Sequence, residues 1–344
     1  MKQSQDKSKP VYKVPSMQSI EAIPWNGLKV ASTFSGCGGS CLGFRMAGFR
    51  VVLATEFVPA AQQCYKENHP RSYLETRDIR DVSASEMMIN AKVEKGELDV
   101  LEGSPPCASF SSCGVKSKGW SEVRKYSDTS QRVDDLFFEF ARLVEGIQPK
   151  VFVAENVAGL VQGDAKGYFK DILRTLKSKG YAVEARLLDA QYLGVPQRRR
   201  RLIFIGVRND IKNPPAFPSP LNYSYTVREA IPFTKVLNIR KATFDGNVIW
   251  PTADQPYTTV GTTSSFGCGA GNTGGHIEVR KDNTSKAFRR KLTIQELKRI
   301  CSFPDDFIVT GSPTKQWERL GRAVPPLMMR SVAREIEARI LCAE

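Results

Sequence analysis

The chain has 344 residues, 41% hydrophobic and 25% charged, an ordinary balance for a globular protein with room for one large domain and a smaller one. Fifty Lys and Arg against 36 Asp and Glu leave a formal net charge of +14, which puts nucleic acid first among acidic partners, with a merely basic surface as the bland alternative. No run approaches the roughly 20 apolar residues that cross a bilayer, and the eight Cys show no CxxC pair and no compact spacing with the two His, which argues against a structural zinc site and a disulfide framework and fits a reducing compartment.

The first 15 residues are polar and Lys-rich without the apolar stretch of a signal peptide, so residues 1–27 read as a polar basic tail. Residues 28–33 (LKVAST) form an apolar strand that runs into Phe34-Ser35-Gly36-Cys37-Gly38-Gly39, and a helical pattern follows through Met46. A second strand over 51–55 ends at Glu56, and 60–68 has helical spacing. Strand, glycine turn, helix, strand and acid make a nucleotide-binding α/β unit: glycines let backbone approach a ligand, and the acid can take ribose hydroxyls. The turn is not GxGxxG, so a dinucleotide site is not expected, and a tight turn with no ligand stays open as an alternative.

The next strand, over 99–102, leads into Gly103-Ser104-Pro105-Pro106-Cys107. Each proline fixes its own φ and pushes the preceding residue toward extended backbone. The cysteine therefore sits on a stiff turn at a strand end, a presentation that suits a nucleophile, although most cysteines are small buried hydrophobes. Residues 108–131 are long, polar and basic for a connection inside a compact domain, which reads as functional or as a surface loop.

A helix over 134–145 places Leu136, Phe137, Phe140 and Val144 at core spacing. A strand over 151–154 ends at Glu155-Asn156-Val157; a helix over 168–179 and strands over 181–189 and 202–207 follow. The repeated β-α-β order predicts a mostly parallel sheet with helices on both faces. Four arginines, Arg198 to Arg201, precede the last strand, and period-two alternation should split them between faces. After Arg208 the texture changes to a Pro-rich stretch, a Gly/Thr/Ser-rich stretch over 257–275 and recurring basic residues. Residues 28–208 thus read as a catalytic domain, 209–310 as a loop-rich second domain, and 311–344, with an amphipathic helix over 326–341, as a segment that returns to the first.

In chain order the sequence carries Phe34-Ser-Gly-Cys-Gly-Gly, Glu56, Asp78-Ile79, Pro105-Pro106-Cys107, Glu155-Asn156-Val157, Gln197 with Arg198 to Arg201, Arg290-Lys-Leu-Thr, and Gly321-Arg322-Ala323-Val324-Pro325. This ordered set resembles the cytosine-5 DNA methyltransferase family of bacterial or phage type, from Lys29 to the C-terminus. The resemblance implies an α/β fold: a Rossmann-like S-adenosylmethionine-dependent methyltransferase domain with a smaller target-recognition domain. It implies transfer of a methyl group from S-adenosylmethionine to carbon 5 of a flipped cytosine in duplex DNA. Carbon 5 of cytosine is a poor nucleophile, and addition of a thiolate at carbon 6 turns the ring into an enamine that can attack a methyl sulfonium.

By that resemblance Cys107 is the nucleophile. Glu155 meets ring nitrogen 3 as a neutral acid, so burial should raise its pKa. Arg199 and Arg201 face the active site, Arg201 reaching the cytosine carbonyl oxygen or a phosphate. Phe34 stacks near the adenine, and the backbone of Gly36, Cys37, Gly38 and Gly39 lines the amino-acid end of the methyl donor. Glu56 holds the ribose, Phe57 can stack on adenine, and Asp78 bonds the adenine beside Ile79. Pro106, Leu136, Arg322 and Ala323 complete the walls. Ser109, Ser111, Lys116, Arg124, Gln197, His276 and Arg280 are candidate DNA contacts, a structural role being at least as open for His276. No metal is expected. The implied partner is duplex DNA bound by a monomer, with a restriction endonuclease acting independently, in the cytoplasm. Arg322 stands where the family usually has Asn, Val58 where it has an acid, Ala108 where it has Gln, and Arg132 lies one place early. The alternatives are an RNA methyltransferase on the same scaffold and a catalytically silent DNA-binding homologue.

Overall fold

Strands that are apolar on both faces belong in the middle of a helix-covered sheet, and strands of that kind deliver the candidate residues here. The computed structural model describes residues 9–106, 124–126, 129–131, 135–161, 165–242, 247–262, 275–282 and 284–342. Its first elements are α1 (Met17–Glu21), β1 (Lys29–Thr33), α2 (Gly39–Met46), β2 (Arg50–Thr55), α3 (Pro59–Asn68), β3 (Tyr73–Glu75), α4 (Ala84–Ala91) and β4 (Val100–Gly103). A small hairpin of β5 (Arg124–Tyr126) and β6 (Thr129–Gln131) follows, then α5 (Leu136–Ile147), β7 (Val151–Val157), α6 (Ala165–Ser178), β8 (Tyr181–Asp189) and β9 (Arg200–Arg208).

Seven strands form one sheet in the order β3-β2-β1-β4-β7-β9-β8. All neighbours from β3 to β7 are parallel, while β9 lies antiparallel between β7 and β8. The sheet is parallel except for this one reversed strand, as the β-α-β order predicts. Its two faces divide the core. Ala31, Leu101, Phe152 and Phe204 pack with α4, α5 and α6 through Met87, Phe140, Leu143 and Ile172. Val30, Val100, Val153 and Ile203 pack with α2 and with α10 (Pro326–Ile336) through Leu42, Phe44, Met329 and Val332. A Cβ on Gly43 would fall 2.6 Å from Met329 Cβ and 2.7 Å from the Pro326 carbonyl oxygen, so glycine is what lets α2 and α10 cross so closely.

The second region holds α7 (Val227–Ala230), β10 (Val236–Ile239), a hairpin of β11 (Lys241–Ala242) and β12 (Val248–Ile249), β13 (His276–Val279), β14 (Phe288–Lys291), α8 (Ile294–Ile300) and α9 (Pro313–Arg322). Where the composition suggests loops, β10, β13 and β14 form a three-stranded antiparallel sheet. Its buried residues Val236, Ile239 and Ile277, together with Tyr257 outside the sheet, join the same cluster as Val30 and Val100, so the core is continuous between the two regions. The segment read as a basic tail is also packed from Lys9 onward: Tyr12 is buried and donates its hydroxyl to the Arg299 carbonyl at 2.6 Å, and Lys9 pairs with Glu229. Aromatic and aliphatic residues at Tyr12, Val14, Met17 and Ile20 outweigh the lysines around them. The last helix is α-helical only to Ile336 and widens into a π turn over Glu337–Leu341. Among the described residues no helix is long and apolar enough to cross a membrane, and no group of three His, Cys, Asp or Glu could hold a metal ion.

Candidate active site

A cavity of about 760 Å³ opens where β1, β2, β4 and β7 end. That is within the usual range for a site that takes a drug-sized ligand, roughly 300–1,000 Å³. Segments 259–262 and 318–324 close its far side.

At one end the turn after β1 is held by a carboxylate. The Gly36 N–H donates to Glu56 Oε2 at 2.6 Å, and the Val58 N–H donates to Glu56 Oε1 at 2.7 Å. Burial pushes the Glu56 pKa upward, against the amide donors of Val58 and Gly36 and the more distant Arg322. Phe34 lines the cavity with φ at +55°, a left-handed conformation that costs a side-chain-bearing residue on the order of 1 kcal/mol. Gly36 has φ at +56° and open space where a Cβ would stand, so its backbone is free for close approach.

The other two glycines answer to packing. A Cβ on Gly38 would fall 2.2 Å from His69 Nε2, and one on Gly39 would fall 2.4 Å from the Val324 carbonyl oxygen. Gly36, Cys37 and Gly39 line the cavity, whereas Gly38 does not; its left-handed backbone caps α2 instead. Phe57, Asp78, Ile79, Pro106, Leu136, Arg322 and Ala323 all line the cavity. Asp78 already carries a cation, for Arg80 pairs with it at 2.9 Å and with Asp135 at 2.7 Å. Arg322 is paired with Glu318 at 2.9 Å.

At the other end Glu155 is buried at the close of β7, and Arg201 Nε lies 2.7 Å from its Oε1. The register sets Arg201 opposite Val157 and Ile203 opposite Glu155, so Arg201 is a diagonal neighbour on the face of Glu155. Burial was the expected influence on this carboxyl; the structure places a guanidinium beside it as well. Asn156 Nδ2 donates to the Pro105 carbonyl at 3.3 Å, tying the end of β7 to the Pro105-Pro106 turn.

The arginine run alternates as expected, with Arg199 buried, Arg198 and Arg200 exposed, and Arg201 between. Arg199 lines the cavity with Arg201 and is anchored there as well. Its guanidinium donates to the carbonyls of Val260 at 3.2 Å and Arg322 at 3.3 Å, which ties the residue just before β9 to both closing segments. Gln197 is corrected outright as a DNA contact. It is fully buried, its amide N–H₂ donates to the Ile300 carbonyl and its oxygen accepts the Val260 N–H. His276 is likewise buried within β13, and its carbonyl accepts from Tyr257, so it is a core residue. Arg280, just past that strand, is exposed. Arg124 falls on β5. Cys107, Ser109, Ser111 and Lys116, with most of the 108–131 segment, lie outside the described residues.

Sequence reading passed over Glu102. It sits on β4, is buried, and lines the cavity beside Ser104. The signal was present: a carboxylate inside an otherwise apolar strand is rarely buried without a reason.

The family described as C-5 cytosine-specific DNA methylase matches residues 28–245 and 252–338. Among curated relatives, Type II methyltransferase M1.HphI of Haemophilus parahaemolyticus is 31% identical over 330 residues, covering 88% of this chain and 85% of the relative. Type II methyltransferase M.PspPI of Psychrobacter sp. (strain TA137) is 30% identical over 354 residues, covering 93% and 81%. Among solved structures, a DNMT2 variant from Spodoptera frugiperda superposes with a TM-score of 0.66 at 16% identity, covering 91% of this chain and 100% of that chain. A prophage-encoded E. coli protein described as a DNA modification methyltransferase gives 0.66 at 20% identity, covering 90% and 99%. These structural likenesses speak for the fold: a Rossmann-like methyltransferase sheet.

Proposed function

This chain belongs to the C-5 cytosine-specific DNA methylase family and methylates carbon 5 of cytosine in DNA; we propose that it does so with Cys107 as the nucleophile and Glu155 as the acid at ring nitrogen 3. One observation carries this assignment. Pro105 and Pro106, the two residues before Cys107, line the same cavity as Glu155, and Asn156 bonds the Pro105 carbonyl. The two residues that lead into Cys107 and the Glu155 carboxyl thus line one chamber, which supports the reading.

In the proposed sequence the Cys107 thiolate adds to carbon 6, and the negative charge that develops on the ring is met at nitrogen 3 by Glu155. Arg201 orients the Glu155 carboxyl and adds positive charge to the chamber. After transfer, the proton on carbon 5 is lost and the carbon–sulfur bond breaks, returning the thiolate. A base inside a duplex cannot be reached from both faces, so the cytosine must be flipped out, at a cost of a few kcal/mol of unstacking.

The donor end fits S-adenosylmethionine, which supplies an electrophilic methyl on a sulfonium. Gly36 leaves open space for close approach, and Glu56 presents a buried carboxyl that ribose hydroxyls can reach as donors. Phe34, Cys37, Gly39, Phe57, Asp78, Ile79, Pro106, Leu136, Arg322 and Ala323 form walls around that volume. Residues 209–310 are proposed to read the duplex, with Arg280 among the exposed basic residues and Ser109, Ser111, Lys116 and Arg124 contributing near the nucleophile. Residues 28–208 and 311–344 together carry the chemistry. The Type II names of the relatives support a role in restriction–modification; a cytoplasmic monomer beside an independently acting endonuclease is part of the same proposal.

The test is methyl transfer to duplex DNA and to transfer RNA in parallel, followed by bisulfite sequencing of DNA from expressing cells. Methylation of duplex DNA at one recurring sequence is expected. Transfer confined to RNA would overturn the substrate assignment.

A further inference from the structure

Glu102 is a buried ionisable group on this cavity to which the proposed chemistry gives no task. Glu102 stands at the junction of the cavity's two ends. Its Oε2 accepts from Ser32 Oγ at 2.6 Å, and Ser32 Oγ also accepts from Ser35 Oγ, on the glycine turn, at 2.9 Å. Its Oε1 accepts from Ser104 Oγ, on the turn that leads to Pro105 and Pro106, at 3.4 Å. The β1–β4 register aligns Ser32 with Glu102, and the β4–β7 register aligns Glu102 with Val153, two residues before Glu155 on the same face. The groups facing Glu102 among the described residues are the hydroxyls of Ser32, Ser40 and Ser104, the Cys41 thiol and the Glu155 carboxyl.

A methyl group passed between the two ends must cross this junction. On the donor side of the transfer the sulfur is a positively charged sulfonium; afterwards it is a neutral thioether. A buried carboxyl faced by hydroxyls, a thiol and another carboxyl distinguishes those two states by charge, because the local dielectric is low and little water screens it.

We propose that Glu102 is the residue by which this enzyme distinguishes methyl donor from spent product: it ionises when the sulfonium arrives and takes a proton back when that charge is gone. This inference rests on the reading of the cavity as the S-adenosylmethionine site. Burial supports the idea independently, since it lifts the Glu102 pKa to about 7, with Glu155 adding in the same direction against the hydroxyls of Ser32, Ser40 and Ser104. A group half protonated near pH 7 responds most strongly to a charge placed beside it. The sign follows: a cation favours the carboxylate, so donor binding at pH 7 releases protons, while binding of the neutral-sulfur product leaves Glu102 as it was. Above about pH 9 the group is already ionised and the release vanishes.

Titration calorimetry of the full chain with S-adenosylmethionine and with S-adenosylhomocysteine, in two pH 7 buffers of different ionisation enthalpy, reads this directly. Release of up to about half a proton on binding the methionine form, near zero for the homocysteine form, is expected. Glu102→Gln, which keeps the side chain's size, should abolish the release. It should lower the preference for donor over product by about tenfold for each pKa unit through which the cation shifts Glu102. Equal proton release with both ligands, or release that persists in Glu102→Gln, overturns the inference while leaving the cavity assignment intact. Failure of both ligands to bind would overturn the cavity assignment and this inference with it.

Discussion

The two ends of the cavity are held by different means. At the donor end a carboxylate accepts backbone N–H groups, and its partners are near in sequence: Glu56 and Gly36 are 20 residues apart. At the base end the partners come from afar. Glu155 on β7 meets Arg201 on the antiparallel strand β9, and Arg199 reaches carbonyls 61 and 123 residues away. A cradle of backbone groups is fixed once its turn has formed. A site built from side-chain charges on distant segments exists only when the whole sheet and the 259–262 and 318–324 segments are in place. The donor end should therefore survive damage that disables the base end.

Glu155→Gln is the hardest blow to that contrast. It retains the side chain's bulk but removes the acid, and turnover should fall by about 10²–10⁴-fold, the usual contribution of a positioned proton donor. S-adenosylmethionine affinity, measured by calorimetry, should stay within about twofold. A matching collapse of donor binding would mean that the two ends are a single unit.

The glycine turn sharpens the comparison from the other side. Gly39→Ala drives a Cβ to 2.4 Å from the backbone oxygen of Val324, which cannot swing away, and should destabilise the fold by about 1–3 kcal/mol in denaturant titration. Gly36→Ala meets nothing within 4 Å but must adopt φ of +56°, at a cost of about 1 kcal/mol, and should weaken donor binding more than stability. Equal effects from the two substitutions would contradict the division between a packing glycine and a ligand-facing one.

The smallest effect belongs to the recognition surface. Arg280→Ala should reduce the slope of log affinity for DNA against log salt by about one, the signature of one lost phosphate contact, with donor affinity unchanged. An unaltered slope would remove Arg280 from the DNA interface.

The same contrast explains what could be read from the chain beforehand. The strand, glycine-turn, helix and acid pattern from Lys29 to Glu56 is local, so periodicity and turn chemistry suffice to bring Gly36 and Glu56 to one cavity, while the role of Phe34 there is what the family resemblance implies. The split of the arginine run followed from alternation along β9. What alternation does not tell is what a buried guanidinium meets. Arg199 found carbonyls of Val260 and Arg322, and Gln197 found the Val260 amide, because segments that no local pattern links to β9 fold over it. His276 was ambiguous for the same reason: its burial depends on a sheet, β10-β13-β14, hidden inside a Gly-rich composition. Glu102 went unassigned because its meaning lies in its neighbours, Ser32, Ser40 and Ser104, which come together only when β1, α2 and β4 align.

The central claim is that a sulfur atom two residues beyond Pro105 attacks the ring of a base held against Glu155. Duplex DNA carrying 5-fluorocytosine at the target position tests it most directly, because fluorine in place of hydrogen blocks the final elimination and leaves the adduct in place. Peptide mapping of the trapped complex should find the nucleotide attached to Cys107. Attachment to Cys113, or normal turnover with no adduct, would contradict the account.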